Sequence, residues 1–273
     1  MIFKKFPIIF LLPLSVCFGS SLMAATLQVD GSCPTANPSA PFCNNGTTHR
    51  SLQGAIDAAS DNDILQIASG IYVENIIVTK KLELAGTGRD QTILIPAVSK
   101  PNPCTNSALC QRASTASNVI LVQADHVSIH DLTIDGNNPN LTSGVVVGGV
   151  DVDARNGIIQ NYLAGNYDEL QVYNVTVKNI FLRGLHMNWA HDFNIHDNLF
   201  QNIQGNPSGS IAVFNYGGGG LFEHNTVEDA IDGIVSDESV GTRFLNNHVS
   251  RCVSGIHTNN AGDFAGSTAD LIA

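Results

Sequence analysis

A short motif that recurs in the second half of the chain constrains the fold more than any other feature. Four segments align without gaps: VYNVTVKNI, IHDNLFQNI, FEHNTVEDA and FLNNHVSRC. Successive copies begin roughly 22 to 27 residues apart, the period of a solenoid with one coil per repeat. The alignment forms one polar column, Asn198, Asn225 and Asn247, and one apolar column, Ile180, Ile203, Ala230 and Cys252. Because each coil of a solenoid buries its apolar positions only against its neighbours, these columns predict a β-solenoid.

The N-terminus has the pattern of an export signal. Lys4 and Lys5 precede an apolar run from Ile8 to Val16, and Ala24 and Ala25 provide small residues for cleavage. The run is too short to span a bilayer, which argues against a retained anchor. We therefore expect a signal peptide over 1–25 and a mature domain over 26–273, located in the periplasm, at the cell surface or outside the cell.

The charge balance restricts the partners. The chain carries 13 Lys and Arg against 24 Asp and Glu, a net charge of −11. No basic stripe is present to displace counterions from phosphates, so nucleic-acid binding is not expected. A polyanionic glycan would need Ca²⁺ or local arginines to mediate its contact. After signal cleavage we expect no membrane association and a monomer.

Cysteine spacing suggests two local disulfides. Cys33 and Cys43 bracket one Pro-rich loop, and Cys104 and Cys110 bracket another. In an exported protein the simplest pairing joins each local pair. Cys252 falls in the inward apolar column, so we expect a free thiol that packs as a small apolar residue.

One segment has helical rather than strand periodicity. Leu52, Ala55, Ile56 and Ala59 follow an i, i+3, i+4, i+7 pattern, which predicts a helical cap near 49–60, with Thr48 or Ser51 as N-cap. Such a cap covers the open end of the first coil. The coil pattern is interrupted by irregular insertions at 96–118 and 137–168. The final ADLIA resembles the start of another strand, so we expect further coils beyond a truncated C-terminus.

The first coils resemble a known superfamily. The segment from Ser51 to Ile95 is similar to the opening of right-handed parallel β-helix proteins of the pectin-lyase-like superfamily. Their G-x-Y-x-E-x-x-x-V coil is matched by Gly70, Tyr72, Glu74 and Val78. The resemblance covers most of residues 50 to 260. It implies an all-β, right-handed parallel β-helix with an N-terminal capping helix. It does not specify an activity, because this scaffold carries lyases, hydrolases, esterases, epimerases, adhesins and tailspikes.

Motifs of three enzyme groups in this superfamily are missing. The polygalacturonase segments Asn-Thr-Asp, Asp-Asp and Gly-His-Gly do not occur. The Gln-Asp-Thr and Gly-x-Val-Asp-Phe segments of pectin methylesterases are absent, as is the Arg-x-Pro-x-x-Arg of the main pectate lyases. These absences disfavour the best-patterned pectin enzymes and leave less patterned lyases and epimerases open.

Alternation along the later strands predicts a polar and aromatic outer face. With Leu185, Ile211, Ile234 and Ile256 inward, one outward column contains His186, Ala212, Val235 and His257. The next contains Asn188, Phe214, Asp237 and Asn259, and Trp189 and Tyr216 lie just beyond. Rings that stack on sugar faces beside groups that bond hydroxyls suit a polysaccharide. In the superfamily that the chain resembles, the substrate groove runs along such a face.

These residues allow several chemistries. A lyase or epimerase needs a base, His186 or His257, and a cation for the sugar carboxylate, Arg183 or Arg155. A hydrolase would instead pair two carboxylates, such as Asp237 and Asp153. For any one of these residues, a solvated side chain on an ordinary face is the competing interpretation.

Two metal sites are conceivable. Asp151 and Asp153, together with Asp237, could hold Ca²⁺ through oxygen ligands, but the sequence does not establish a cofactor. At another corner, His130-Asp131, His196-Asp197 and Glu223-His224 offer imidazoles for a transition metal. Turn formation is the simpler role for this second cluster. The Asn198, Asn225 and Asn247 column is most simply a structural amide ladder.

The sequence thus favours an exported, carbohydrate-active β-helix protein with lyase- or epimerase-like chemistry. The alternative is a non-catalytic surface or adhesion module. A weaker alternative is a periplasmic accessory protein that handles a metal.

Overall fold

The computed structural model describes residues 24–30, 42–43, 52–103, 107–110, 115–259 and 270–273, without the side chains of 42–43. The first elements are β1 Thr26–Asp30, β2 Phe42–Cys43, α1 Leu52–Ala58, β3 Ile64–Ile67, β4 Gly70–Val73, β5 Ile76–Val78, β6 Glu83–Ala85 and β7 Thr92–Ile95. The middle strands are β8 Asn118–Val122, β9 Ser128–Asp135, β10 Val146–Val147, β11 Val150–Asp151, β12 Asn156–Gln160 and β13 Gln171–Ile180. The later strands are β14 Arg183–Asn188, β15 His191–His196, β16 Leu199–Ile203, β17 Ile211–Tyr216, β18 Gly219–Glu223, β19 Thr226–Ala230, β20 Asp232–Asp237, β21 Arg243–Leu245, β22 His248–Ser250, β23 Ser254–Asn259 and β24 Leu271–Ile272.

The strands wind into three faces that surround one core. A seven-stranded sheet runs β5-β8-β12-β14-β17-β20-β23. A fifteen-stranded sheet has a first arm, β2-β1-β3-β6-β9-β13-β15-β18-β21-β24, and a second arm, β4-β7-β9-β13-β16-β19-β22. The long strands β9 and β13 belong to both arms. Within the described residues, every strand pair is parallel except β10–β11. Crossovers between parallel strands are right-handed, so the expected right-handed parallel β-helix is confirmed.

Aliphatic and aromatic columns fill the interior. Phe193, Phe222 and Phe244 form an internal ladder with ring centroids 4.9 and 5.3 Å apart. Ile180, Ile203 and Ala230 pair in register, which confirms this part of the apolar column. Cys252 is a free cysteine that packs against the same core. Coil-to-coil stacking of like residues therefore supplies the packing that each coil lacks alone.

The predicted helical cap is confirmed, and the G-x-Y-x-E coil holds it in place. The Glu74 carboxylate accepts hydrogen bonds from the backbone N–H groups of Leu52 (2.9 Å) and Gln53 (3.0 Å), which have no partner within the helix. At the other end, Lys80 Nζ donates to three carbonyls of the last turn, those of Ile56, Asp57 and Ala59. These charges also oppose the helix dipole at each end. The proposed N-caps Thr48 and Ser51 lie outside the described residues.

The predicted asparagine ladder is also confirmed. Asn198 Nδ2 donates to Asn225 Oδ1 (3.0 Å), and Asn225 Nδ2 donates to Asn247 Oδ1 (2.9 Å). Each amide also donates to a carbonyl of the preceding coil, Val172 O and Ile195 O. The ladder thus satisfies the buried polar groups where the chain turns from the first arm to the second.

One sequence expectation needs adjustment, and another stays open. The insertion expected at 137–168 is two loops separated by a regular coil strand, β12, which pairs with β8 and β14. Cys110 is disulfide-bonded. The side chains of Cys33, Cys43 and Cys104 lie outside the described residues, so the pairing stays a prediction. No helix in the described ranges has both the length and the hydropathy that a membrane crossing takes.

Candidate functional site

The outer face of the seven-stranded sheet carries the predicted polar and aromatic columns. One column contains Leu121, Ile159, His186, Phe214, Val235 and His257, and the next contains Asn188, Tyr216, Asp237 and Asn259. The sequence alignment was wrong in one coil: Phe214, and not Ala212, pairs with His186, and Tyr216 takes the place assigned to Phe214. A slip of two residues keeps each side chain on its face, so alternation alone does not detect it.

Five rings form a continuous run across this face. Centroid distances are 5.9 Å from Trp189 to Tyr216, 6.4 Å from Tyr216 to Phe214 and 4.9 Å from Phe214 to His186. Tyr162, from the loop after β12, closes the run 5.7 Å from His186. The rings are tilted by 33 to 88° to one another. We call these five residues the aromatic run.

Trp189 is the exposed end of the aromatic run, and the backbone fixes its position. It adopts φ 52°, and its N–H donates to Tyr216 O at 2.7 Å. A Cβ at Gly217 would lie 2.5 Å from the indole, so only glycine leaves room for the ring there. With 38 % of its surface exposed, Trp189 presents a large apolar ring to solvent at low entropic cost.

His186 is buried inside the aromatic run, between Phe214 and Tyr162. Only 6 % of the residue is exposed, and neither ring nitrogen has a hydrogen-bond partner. Burial, with a smaller contribution from the Arg183 charge, lowers the pKa of His186 to about 3. The ring is therefore neutral near pH 7. With Tyr162 packed beside it, His186 does not reach an external substrate in this arrangement.

Arg183 places a positive charge over the aromatic run. Its Cζ lies 5.0 Å from the Phe214 centroid, a cation–π distance. One guanidinium nitrogen, Nη1, donates to Gly209 O, while Nε has no hydrogen-bond partner. Burial first, and then the like charge of Arg155, lowers the pKa of Arg183 to about 10. The group remains charged at neutral pH and keeps a donor without a protein acceptor.

Asp237 is the titratable carboxyl on this face. Burial raises its pKa, an effect that Glu238 reinforces and that His257 and Arg183 oppose. Its strand position pairs with Tyr216 on the preceding coil. The Tyr216 hydroxyl bonds to Glu238, which raises the pKa of the phenol. Asp237 therefore keeps a proton to higher pH than a free aspartate does.

His257 lies one coil beyond Asp237 and has an orienting partner. Its Nδ1 is 2.9 Å from Ser254 Oγ, on the same strand. A bond at one ring nitrogen selects the tautomer and thereby the role of the other nitrogen. Asn188 belongs to the same face, and its N–H donates to Gln160 Oε1 at 3.0 Å.

Arg155, expected to bind substrate, is instead a structural residue. It is 1 % exposed and donates to three carbonyls of the preceding loop, those of Pro101, Ser107 and Ala108. These bonds fasten residues 101–103 and 107–108 onto the seven-stranded sheet. Ala108 and Leu109 then pack with Val147 and Val152 in a second apolar cluster over Leu121 and Ile159. The insertions thus cover the part of this face that β8 and β12 form.

Asp151 and Asp153 each hold a turn of the insertion. Asp151 accepts from the N–H and hydroxyl of Ser143 and from Gly144 N, and these bonds lower its pKa. Asp153 is fully buried, and its Oδ2 accepts from Asn138 N at 2.9 Å. Among the described side chains, no group of three His, Cys, Asp or Glu is placed to hold a metal ion. Neither Asp151 nor Asp153 is therefore proposed as a Ca²⁺ ligand.

The second histidine cluster forms a stack on the outer face of the first arm. Tyr173 lies between His130 and His196, at centroid distances of 4.5 and 5.1 Å and interplanar angles of 7 and 1°. The tyrosine separates the two imidazoles, so they do not converge on one ion. Asp131, Asp197 and His224 adopt φ 52 to 56° at the corner that follows. The turn-forming interpretation of these residues is thus confirmed.

Sequence reasoning missed Tyr162, Ser254 and Glu238. Tyr162 lies in an insertion without periodicity, so no pattern marks its place beside His186. Ser254 lies three residues before His257 on β23, and Glu238 directly follows Asp237, so closeness in sequence is the signal that was available.

Comparisons with known proteins bear on the fold alone. Neither a protein-family model nor a curated protein sequence matches the chain. A pectin methylesterase from Aspergillus niger is similar in structure, with TM-score 0.49 and 11% identity over 89% of this chain and 85% of that one. A pectin methylesterase from Erwinia chrysanthemi has TM-score 0.47 and 11% identity over 91% and 92%. The Escherichia coli protein YbhC has TM-score 0.48 and 14% identity over 98% and 73%.

Proposed function

We propose that this protein binds an extracellular polysaccharide along the aromatic run and cleaves it by lyase-type chemistry at Asp237 and His257. The observation that carries the proposal is the aromatic run itself, which crosses three coils of a rigid sheet beside one cation and one carboxyl of raised pKa. The extracellular location rests on the predicted signal peptide, which lies outside the described residues.

Sugar chains fit this surface physically. Adjacent strands lie about 4.8 Å apart, so ring positions recur along the coil axis at a spacing close to that of pyranose units in an extended chain. Trp189 and Phe214 offer apolar faces for sugar C–H groups, while Asn188 and Asp237 offer bonds to hydroxyls. Because the platform is sheet and not loop, little ordering is needed on binding.

The chemistry follows from the protonation states. In a β-elimination, His257 takes the proton next to the sugar carboxylate, and Asp237, protonated to higher pH than usual, gives a proton to the departing glycosidic oxygen. The C–H electron pair forms the new C=C bond as the C–O bond breaks. Arg183 places its positive charge beside this face, where it stabilises the substrate carboxylate. An epimerase would use the same base and return the proton to the opposite face.

The hydrolase alternative has less support. It pairs Asp237 with Asp153, but Asp153 is fully buried under the insertion. Pectin methylesterase chemistry is not proposed either, because the Gln-Asp-Thr and Gly-x-Val-Asp-Phe segments are absent.

A glycan screen tests the proposal. The full-length protein is incubated with uronate and neutral polysaccharides, and ultraviolet absorbance of unsaturated ends is followed together with reducing sugar. We expect both signals to rise, and to fall about 10²- to 10⁴-fold in His257→Ala and Asp237→Asn, since each removes a proton-transfer group. His248→Ala and Asp90→Asn, exposed residues away from this face, serve as matched controls.

Other outcomes are equally informative. Reducing ends without unsaturation would replace the lyase by a hydrolase. Tight glycan binding with no product from any substrate would favour the non-catalytic adhesion module, to which the same aromatic run is suited. If the protein neither binds nor cleaves any glycan in the screen, the proposal is overturned.

A further inference from the structure

A groove of about 590 Å³ lies around the corner from the aromatic run, on the outer face of the first arm. It is formed where β15 and β18 begin and where the chain enters β21. Its lining includes His191, Asp192, Asn194, Leu221, Val240 and Arg243. Only Ala190, which is buried, separates Trp189 from His191. A chain that lies on the exposed indole can therefore continue into the groove.

Backbone features create the groove. The register between β15 and β18 shifts between His191 and Phe193, and the extra residue, Asp192, adopts φ 54°. Opposite this bulge lie Gly219 and Gly220. A Cβ there would come within 2.1 Å of Val240 O and 2.4 Å of Phe193 O, so larger residues do not fit. The floor is consequently bare peptide. Bulges and close-packed glycines of this kind often adjoin binding sites.

The rim combines polar groups of both signs with an apolar patch. The buried Oδ1 atom of Asn194 has no hydrogen-bond partner. Leu221 pairs in register with both Asn194 and Arg243 and is half-buried between them. Asp192 and Arg243 are exposed. One carboxylate and one guanidinium on opposite sides give the rim no dominant charge.

We propose that this groove is a second saccharide-binding position, selective for a neutral sugar unit. The volume falls within the roughly 300–1,000 Å³ typical of small-molecule sites. Sugar hydroxyls donate and accept, so they suit both the unpartnered Asn194 oxygen and the Arg243 donors. The peptide floor and Leu221 take the apolar face of the ring. That the ligand is a saccharide rests on the proposed function, and the neutral selectivity rests on the balanced rim.

The proposal is tested by ¹⁵N NMR titration of the full chain with cellobiose, lactose and digalacturonate. We expect a neutral disaccharide to shift the amides of Asn194, Gly219, Gly220 and Arg243, and digalacturonate to act there at least tenfold more weakly. Leu221→Trp fills the groove and Asn194→Ala removes the acceptor, so each should weaken the neutral sugar at least fivefold. Asp90→Asn, an exposed residue that does not line the groove, should leave the groove shifts unchanged.

The outcomes separate this proposal from the preceding one. If no disaccharide shifts the groove amides, or if Leu221→Trp and Asn194→Ala both bind like the parent, the second position is overturned. Equal or stronger binding of digalacturonate overturns its selectivity for neutral units. If the groove amides shift but those of Trp189 and Phe214 do not shift with any of the three sugars, the second position is supported. The aromatic run is then rejected as the main binding site.

Discussion

Two outer faces of the same solenoid carry columns of rings, and they differ in how their polar atoms are satisfied. On the first arm, His130, Tyr173 and His196 stack in parallel. His130 Nδ1 lies 2.7 Å from Asp131 and its Nε2 lies 3.2 Å from Glu83, while His196 Nδ1 lies 2.8 Å from Asp197. On the seven-stranded sheet, the rings of the aromatic run are tilted, and both nitrogens of His186 lack partners.

The difference separates a structural column from the face that we propose to be functional. A repeat that satisfies each polar group with the next coil gains stability and has nothing left to offer a ligand. A face that keeps unpartnered donors and irregular rings gives up stability, as sites commonly do. The strand positions of His130, Tyr173 and His196 pair in register, as do those of His186 and Phe214. Side-chain satisfaction, and not strand pairing, therefore distinguishes the two columns.

The largest loss of stability is expected in the asparagine ladder, where the buried side chains are hydrogen-bonded from coil to coil. Asn225→Leu removes the centre of the amide ladder, leaving Asn198 without its acceptor and Ile195 O without its donor. Asn225 is fully buried, and each unsatisfied buried group costs about 1–3 kcal/mol. We expect the free energy of unfolding in urea to fall by about 3 kcal/mol.

The matched control is Asn166→Leu, at an exposed position in the loop after β12, where a change within about 0.5 kcal/mol is expected. A loss below about 1 kcal/mol for Asn225→Leu would show that neighbouring coils re-satisfy these groups. The asparagine ladder would then not be an example of a column whose stability depends on hydrogen bonds between coils.

Periodicity made the ladder and the fold predictable from sequence. Asn198, Asn225 and Asn247 recur at the repeat period, and a recurring residue in a solenoid has a recurring environment. The helix over Leu52–Ala58 was likewise visible in its own spacing. The coil that contains Phe214 was misplaced by two residues because alternation has a period of two.

The site was less predictable, since part of it depends on segments without a period. Trp189, Asp237 and His257 were placed on the correct face from strand alternation alone. Tyr162 packs beside the buried His186, and the carbonyls of Pro101 and Ala108 accept hydrogen bonds from the buried Arg155. The path of such insertions is set by tertiary packing that no local pattern encodes.

Removing one ring from each face tests which of the two faces binds the glycan. Trp189→Ala should weaken binding of the glycan identified in the screen about tenfold, because an exposed aromatic anchor contributes about 1–2 kcal/mol. Tyr173→Ala removes a ring of the stack and should lower stability while binding stays within twofold. Isothermal titration calorimetry and urea unfolding of both variants supply the two readouts. Weaker binding in Tyr173→Ala alone would reverse the functional assignment of the faces.

The smallest effect, and the sharpest contrast, comes from one substitution at two equally buried histidines. His130 is 8 % exposed and His186 is 6 % exposed. His130→Phe removes the imidazole that contacts the carboxylates of Asp131 and Glu83, and should destabilise the protein by about 1 kcal/mol. His186→Phe replaces a ring with no partners by an apolar one, so at pH 8 we expect it to be neutral or to stabilise by up to about 1 kcal/mol.

Acid pH should increase the stability difference between His186→Phe and the parent protein. The pKa of His186 lies near 3 in the folded protein, below its ordinary value of 6.5. Between these values the unfolded chain binds a proton that the folded protein excludes, so the free energy of unfolding falls as the pH falls, by at most about 1.4 kcal/mol per pH unit. His186→Phe abolishes this term, and its advantage over the parent should therefore grow from pH 6.5 downward. Urea unfolding of both proteins from pH 8 to pH 4.5 measures it. A constant difference across that range would mean that His186 is protonated or hydrogen-bonded in the folded protein, and the contrast between the two faces would lose its main support.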